Sequence, residues 1–473
     1  MNKYIIAVTF LFTGLLSAQQ SEKQQGALDS IQKLDEIIIS TNVIFGNKYV
    51  AKHRTGSAYY LSPKELQKFS FTDVNRILSA VPGVSIYEED GFGLRPNISL
   101  RGTSPERSSK ITLMEDGILI APAPYSASAA YYFPTIARME AIEVLKGSSQ
   151  VQYGPTTTGG AINMISAQIP SEFGGKVRAS YGSFNSNQVH AKIGGGNSRF
   201  GYVLEYLNYG SDGFKTLPSG KNTGFNKNDV VAKFKVNLFP SATIQQSLAF
   251  KFQYADEVGN ETYLGLSEAD FNNNPFDRYA ASNNDQMTTD HSQFALTHTL
   301  EFTKDLHITT TAYRNNFSRN WYKLNDVTFE GNKKSIAAIL NDPTTLANHF
   351  SIVNGTINSD VDALGVKANN RKYYAQGIQT KLDYHWYKGD AFHDLEIGFR
   401  AHYDEEDRFQ WVDKYRMSSN KSMDLTTAGI PGTDANRIAS ATAFASYLTY
   451  KLKYNNWTFT PGVRYENITL KRE

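Results

Sequence analysis

Three histidines (His291, His298 and His307) and one acidic run, Asp404-Glu405-Glu406-Asp407, are residues of this 473-residue chain whose types could hold a metal or move a proton. The histidines fall in strand or turn segments without a metal-ligand spacing. The acidic run offers enough oxygen for calcium at a loop, but a solvated run of charge is the weightier reading. Gly-Ser dipeptides occur without the strand–turn–helix pattern of a nucleophile elbow. Cysteine is absent, which excludes disulfides, thiolate metal sites, cysteine nucleophiles and a lipid-anchored N-terminal cysteine. A net charge of +2 with no Lys/Arg-rich run gives no broad basic field for nucleic acid. The expectation is a protein that binds rather than catalyses, with no resident metal or cofactor.

The segments that must position any binding residues change texture along the chain. Lys3, the apolar run Tyr4–Leu16 and Ser17-Ala18-Gln19 read as a signal peptide over 1–18; the run is short for a membrane-spanning helix, which needs about 20 apolar residues. A polar leader follows over 19–48 and contains the β-prone segment Leu34-Asp35-Glu36-Ile37-Ile38-Ile39-Ser40. By its residues alone this segment either adds as a strand to a partner's sheet edge or begins the next domain.

Residues 49–170 read as a compact α+β domain. Ser62-Pro63-Lys64-Glu65-Leu66 has a cap, a proline at the first helical position and acid in the first turn. A second helix is expected after Asp73, ending at Val81-Pro82-Gly83, and then short strands at Val84–Tyr87, Asn97–Arg101, Ile111–Met114, Ile118–Ile120, Ala141–Leu145 and Ala161–Ile165.

From 171 to 473 the pattern has period two. Val230, Ala232, Phe234, Val236 and Leu238 alternate with Lys233, Lys235 and Asn237; Leu248, Phe250, Phe252 and Tyr254 alternate with Ser247, Lys251 and Gln253. We count eleven such strands, at 176–184, 187–195, 199–209, 228–239, 243–255, 293–303, 306–317, 373–386, 393–404, 441–453 and 456–468. Their length, aromatic ends and charged alternate face favour an outer-membrane β-barrel over a soluble β-sandwich. Long polar stretches at 256–292, 318–372 and 405–440 are expected to be extracellular.

Residues 74–170 resemble the plug domain of TonB-dependent outer-membrane receptors. The likeness is carried by Arg76 to Val84, Ile98-Ser99-Leu100-Arg101-Gly102, Leu113-Met114-Glu115-Asp116-Gly117-Ile118, Met139 to Gly147, and Tyr153-Gly154-Pro155 through Gly159-Gly160-Ala161-Ile162-Asn163. Within that family the stretch Leu113–Ile118 continuing to Ala121-Pro122-Ala123-Pro124-Tyr125-Ser126 is most similar to the ferric dicitrate receptors. Between the leader and Leu34 there is no room for the periplasmic signalling domain that some members carry.

The resemblance implies several things. Leu34–Ser40 sits where the family keeps its TonB box, so a TonB-type energy-transducing periplasmic protein is the expected partner, with membrane lipid around the barrel. The function implied is active import of a ferric chelate, ferric citrate foremost. Another siderophore or haem is the alternative ligand, and a non-transporting adhesin or hydrolase barrel is the alternative class. A citrate–iron complex is a polyanion, which arginine binds bidentately. The candidate ligands are Arg107 and Lys110 in the plug loop Gly102–Lys110, and Arg319 and Arg408 beyond long strands. Arg101 is expected to be structural and paired to a buried acid. Gly102, Gly117, Gly147, Gly154 and Gly160 are expected to meet backbone constraints. The family's barrel has about 22 strands, so the residues here are expected to form its N-terminal half: an open sheet partly wrapped around the plug, which would neither insert nor transport alone.

Overall fold

The computed structural model describes residues 43–68, 73–240, 242–260 and 262–473. The signal-peptide segment and Leu34–Ser40 lie outside them. The plug comprises α1 (Lys48–Lys52), β1 (Ser57–Leu61), α2 (Pro63–Lys68), α3 (Val74–Leu78), β2 (Val84–Tyr87), β3 (Asn97–Leu100), β4 (Ile111–Glu115), β5 (Ile118–Leu119), β6 (Met139–Lys146) and β7 (Gly160–Ser166). Local chemistry sets the helices. At α2 the Glu65 carboxylate accepts from the Ser62 N–H (2.9 Å) and hydroxyl (2.8 Å), a capping box. At α3 Asp73 accepts from the Asn75 N–H at 2.8 Å.

The plug sheet has the order β1-β6-β7-β4-β5, in which β4 and β7 run parallel, and β2 and β3 form a separate hairpin. Strand β1 has no counterpart in the sequence reading: it is an edge strand with a half-buried alternation too short to stand out. The plug also reaches further back than the boundary at residue 49, because the N–H groups of Ile44, Phe45 and Gly46 all bond the buried Glu143 carboxylate.

A 14-stranded antiparallel sheet follows. Its strands are β8 (Gly174–Gly182), β9 (Ser186–Gly196), β10 (Phe200–Ser211), β11 (Phe225–Asn237), β12 (Gln245–Gly259), β13 (Gln286–Thr303), β14 (Leu306–Phe329), β15 (Asn332–Ser335), β16 (Leu364–Lys388), β17 (Ala391–Met417), β18 (Met423–Thr427), β19 (Ala435–Tyr454), β20 (Trp457–Phe459) and β21 (Gly462–Arg472). Eleven stand in line from β8 to β20, with β15, β18 and β21 pairing off that line. Within the described residues the two ends of the line do not pair with each other, so the sheet is open. The two faces differ as period two requires: Lys251, Gln253 and Glu257 of β12 are buried against the plug, while Phe250, Tyr254 and Val258 are exposed on the lipid side. Among the described residues no helix is long and apolar enough to cross a membrane.

The outer strands run well past the expected ends. The stretch 405–440, expected as a loop, is largely strand, and both ends of 318–372, likewise expected as a loop, are strand, since β14, β16 and β17 are 24, 25 and 27 residues long. Beyond the lipid no apolar outer face is enforced, and residues such as Leu324, Val327, Val366 and Met417 pack into a separate apolar cluster, so the alternation that marks a strand in sequence fades while the ladder continues. The acidic run is part of this. Asp404 and Glu406 are buried toward the plug and Glu405 and Asp407 face outward in mid-β17, so it is neither a loop nor a solvated run. Among the described residues no metal-ligating cluster is present.

Above the sheet the long connections fold into a cap. It contains α4 (Glu268–Asn273), α5 (Ile336–Asn341) and α6 (Ala347–Asn354), and its own core includes Leu264, Tyr279, Val327, Ile339, Ile352 and Met417. Asp285 is buried there. It accepts from the Leu324 N–H at 3.1 Å while its second oxygen has no partner among the described residues. Burial outweighs the N–H donors and nearby Lys323, and pushes the Asp285 carboxyl up to about 7 from its ordinary 3.8. Its folded value is therefore above its unfolded one, and the cap gains stability as pH falls through about 7 toward 3.8. Limited proteolysis of the cap should be slower at mildly acidic than at mildly alkaline pH, and Asp285→Asn should remove most of that difference.

Candidate functional site

Plug and wall meet across charge. Arg138 sits at the start of β6, fully buried. It donates from both terminal nitrogens to Glu115 (2.8 and 2.9 Å) and from Nε to Asp229 of β11 (2.6 Å). Lys251 of β12 reaches Glu115 at 2.6 Å and Asp116 at 2.8 Å, and Lys233 of β11 reaches Asp116 at 3.1 Å. Burial by itself would raise the Glu115 carboxyl, but Arg138 and Lys251 hold it down at about 2; Lys233 and Lys251 hold Asp116 far below its ordinary range. This pairing fixes the plug's height in the lumen, and so the position of its outer tip.

That tip carries Arg107 and Tyr131. The Arg107 N–H donates to Asn97 Oδ1 at 2.9 Å, its carbonyl accepts from Ala130 at 2.8 Å, and its guanidinium is paired with Glu89. It lies 5.3 Å from the Tyr131 ring centre and 5.0 Å from that of Trp321 on β14. The Tyr131 ring also covers Arg319 at 3.8 Å and faces Arg371 at 5.9 Å. A cleft of about 480 Å³ opens beside it, lined by Glu89, Arg95, Arg107, Lys215, Tyr263 and Trp321 among others.

On the wall, Arg319 of β14 stands opposite Arg371 of β16, which stands opposite Arg408 of β17, which stands opposite Arg437 of β19. Opposed residues of an antiparallel ladder share a face, so four guanidiniums form one row toward the lumen. The acid bonded to them is Glu406 one rung below, which takes Arg371 on one oxygen (2.7 Å) and Arg408 on the other (2.8 Å). Buried N–H groups at Nε and Nη2 of Arg319, Nε of Arg371 and Nε of Arg437 have no hydrogen-bond partner among the described residues. Such donors are costly when unmet, and a carboxylate is the acceptor that suits a guanidinium fork. The row can take up a compact anion.

Of the sequence candidates, Arg107, Arg319 and Arg408 come together here. Lys110 does not: it is exposed, its carbonyl accepts from Gly159 at 2.9 Å, and no described contact joins its side chain to the row. Arg371 and Arg437 escaped the sequence reading. Each lies just ahead of a recognised strand, at the outer end where Arg319 and Arg408 also lie, but only the register shows that they align. Arg101 is exposed with positive φ and lies against Gly147; the plug arginines paired to buried acids include Arg138 and Arg95. Gly102, Gly117 and Gly147 have positive φ, and a Cβ on Gly160 would lie 2.3 Å from the Leu145 carbonyl oxygen. Gly154 has ordinary φ. A Cβ there would lie 2.6 Å from Glu466 Oε1, the far end of a flexible side chain that can shift, so the expected backbone constraint is not found at this position.

Residues 51–161 match the TonB-dependent Receptor Plug Domain family. Over those residues the plug is similar to that of TonB-dependent receptors. The vitamin B12 transporter BtuB of Photobacterium profundum is 27% identical over 177 residues, which is 37% of this chain and 28% of that protein. Among solved structures, the unliganded ferric citrate transporter FecA superposes with a TM-score of 0.69 at 20% identity, over 92% of this chain and 60% of that one. The open form of the ferric-catecholate import receptor Fiu from E. coli K12 gives 0.65 at 16%, over 89% and 60%. The siderophore receptor PiuA from Acinetobacter baumannii gives 0.63 at 14%, over 88% and 58%. At these identities the likeness is one of fold: a plug in an outer-membrane β-barrel wall, of which the chain spans about three-fifths of the solved chains' length. These relatives are transporters and receptors, not enzymes.

Removing Arg138 from a plug docked in this way strands Glu115 and Asp229 as buried, partly uncompensated anions. Arg138→Leu should weaken plug docking by about 3–5 kcal/mol, seen as earlier protease cleavage of the plug at neutral pH. The depressed carboxyl pKa also sets a pH window: the lock stands above about 4.5 and is lost as pH falls toward about 2.

Proposed function

We propose that the protein imports an iron chelate across the outer membrane by TonB-dependent coupling, and that the chelate is a polycarboxylate complex, ferric citrate foremost. The row Arg319–Arg371–Arg408–Arg437 carries this reading, because it offers aligned guanidiniums, several with unmet donors, to a ligand rich in carboxylate oxygens. The similarity to FecA supports it at the level of fold. Glu406 spaces the row and keeps Arg371 and Arg408 from repelling each other in the empty site. Tyr131 stacks on Arg319 from the plug side, so a ligand reaching that arginine presses on the plug itself.

A second reading has an observation of its own. Tyr263 and Trp321 are packed at 4.7 Å, with Lys323 over both rings, and make an aromatic-cationic corner that would suit a catecholate.

The two readings separate in a binding assay. Arg319→Ala with Arg408→Ala should weaken ferric citrate binding by about 1.5–3 kcal/mol per contact and leave a catecholate chelate unaffected. Unchanged citrate affinity in a folded double variant would move the assignment to the aromatic corner.

Energy would enter through Leu34–Ser40, pairing as an added strand with a TonB-type periplasmic protein. Ile38→Pro removes a backbone donor from that pairing. Cells producing this variant should bind labelled ferric citrate at the surface yet fail to import it; normal uptake would count against this coupling segment.

A further inference from the structure

Every ion pair between plug and wall among the described residues lies on one side of the lumen. Arg95 reaches Glu257, Arg138 reaches Asp229, Lys251 reaches Glu115 and Asp116, Lys233 reaches Asp116, and Lys192 reaches Glu140. These wall residues belong to β9, β11 and β12. The other stretch of wall holds the plug differently. Asn315 donates to the Leu119 carbonyl at 2.8 Å, Gln379 to that of Gly117 at 3.2 Å, Arg400 to that of Gly154 at 2.9 Å and Arg464 to that of Gln152 at 3.0 Å. Gln152 also bonds Thr449 at 3.2 Å, and Asp404 accepts from the Tyr125 and Ser126 N–H groups at 2.7 and 3.0 Å. At Asn315, Gln379, Arg400 and Arg464 the plug supplies a carbonyl, which water or a ligand oxygen can replace, and at Asp404 and Thr449 it supplies neutral N–H donors, which water can replace. Parting the ion pairs on the other side would strand buried charge. A gap of about 90 Å³ lies against this second wall, bordered by Thr309, Thr311, Gln379, Lys381, Arg400 and Tyr447 among others.

We propose that the chelate crosses the lumen along the inner face of β14, β16, β17 and β19, and that Arg400 is a transit site on that path, exchanging the Gly154 carbonyl for a carboxylate oxygen of the chelate. Arg400 shares the inner face of β17 with Arg408, roughly 26 Å away by strand rise. Lys381 faces Asp383 and Arg464 faces Glu466, whereas the described partners of Arg400 are the neutral Gln379 side chain and the Gly154 carbonyl. Among the wall cations bordering the gap, Arg400 is thus the one with no acid among its described partners. The inference rests on the import reading above.

These 473 residues contain no cysteine, so the introduced thiols have no native competitor among them. Gln152→Cys with Thr449→Cys ties the plug to the yielding wall; Glu140→Cys with Lys192→Cys ties it to the fixed one. Labelled ferric citrate is the probe, in cells producing the protein. A short bifunctional maleimide should abolish uptake through the first pair while surface binding persists, and leave uptake through the second within about twofold. Arg400→Gln should lower uptake without lowering surface binding. Equal block by both pairs, or block by the second alone, overturns the path; full uptake by Arg400→Gln overturns the transit site. Failure of the import reading looks different, since the unlinked parent would then take up no ferric citrate. The wall assignment is then decided without ligand, by thiol labelling in a urea titration. Thr311→Cys on β14 should react at lower urea than Val231→Cys on β11, and the reverse order overturns it.

Discussion

The bidentate pairing of Arg138 with Glu115, closed by Asp229 from the wall, is the contact on which the rest of the arrangement depends. The plug has no lipid to pack against. Ala255, Phe317 and Tyr373 of the wall join its apolar core, but much of the facing wall is Lys, Gln, Asn and Thr, so much of its seat is polar. Buried polar seats are costly unless every charge is met, and here Glu115 and Asp116 gather one arginine and two lysines between them. The net is unforgiving of displacement on that side, which sets how far Tyr131 and Arg107 stand from the arginine row.

From the same turn a chain of hydrogen bonds leads toward the N-terminus. The Gly117 N–H donates to Asn163 Oδ1 at 2.9 Å, Asn163 donates to Glu143 at 2.9 Å, and Glu143 accepts the N–H groups of Ile44, Phe45 and Gly46. Burial raises the Glu143 carboxyl above its usual range despite these donors. The residues that seat the plug and those that hold the strap after Leu34–Ser40 are therefore neighbours in one network, with Asn163 between them.

The fold was legible because its strongest signals are local. The alternation in β11 and β12, forced by lipid on one face and lumen on the other, put Phe250 outside and Lys251 inside without any coordinates. The glycine and proline punctuation of the plug placed five of its seven strands nearly to the residue. What lacked such a force was missed: β1, an edge strand five residues long, and the upper reaches of β14, β16 and β17, where no lipid face enforces the alternation. The arginine row lies in those upper reaches. Arg319 and Arg408 were reached through resemblance, whereas Arg371 and Arg437 join them only through cross-strand register. Register depends on the lengths of turns such as 389–390 and 455–456, which a residue pattern does not supply.

The acidic run shows why register decides chemistry. As four consecutive acids, Asp404–Asp407 suggest a cation site or a solvated tail of charge. Placed on a strand, the run divides by parity. Asp404 turns inward to hold the plug's Tyr125 and Ser126 N–H groups, and Glu406 turns inward to space Arg371 and Arg408. Glu405 and Asp407 turn outward, where Glu405 meets the Tyr403 hydroxyl at 2.8 Å. A shift of one residue in that ladder would exchange the two sets, leaving the arginines without their spacer and the plug loop without its anchor. The long ladders of β17 with β16 and β19 are what forbid the shift. The strand extension above the lipid therefore belongs to the binding site as much as the arginines do.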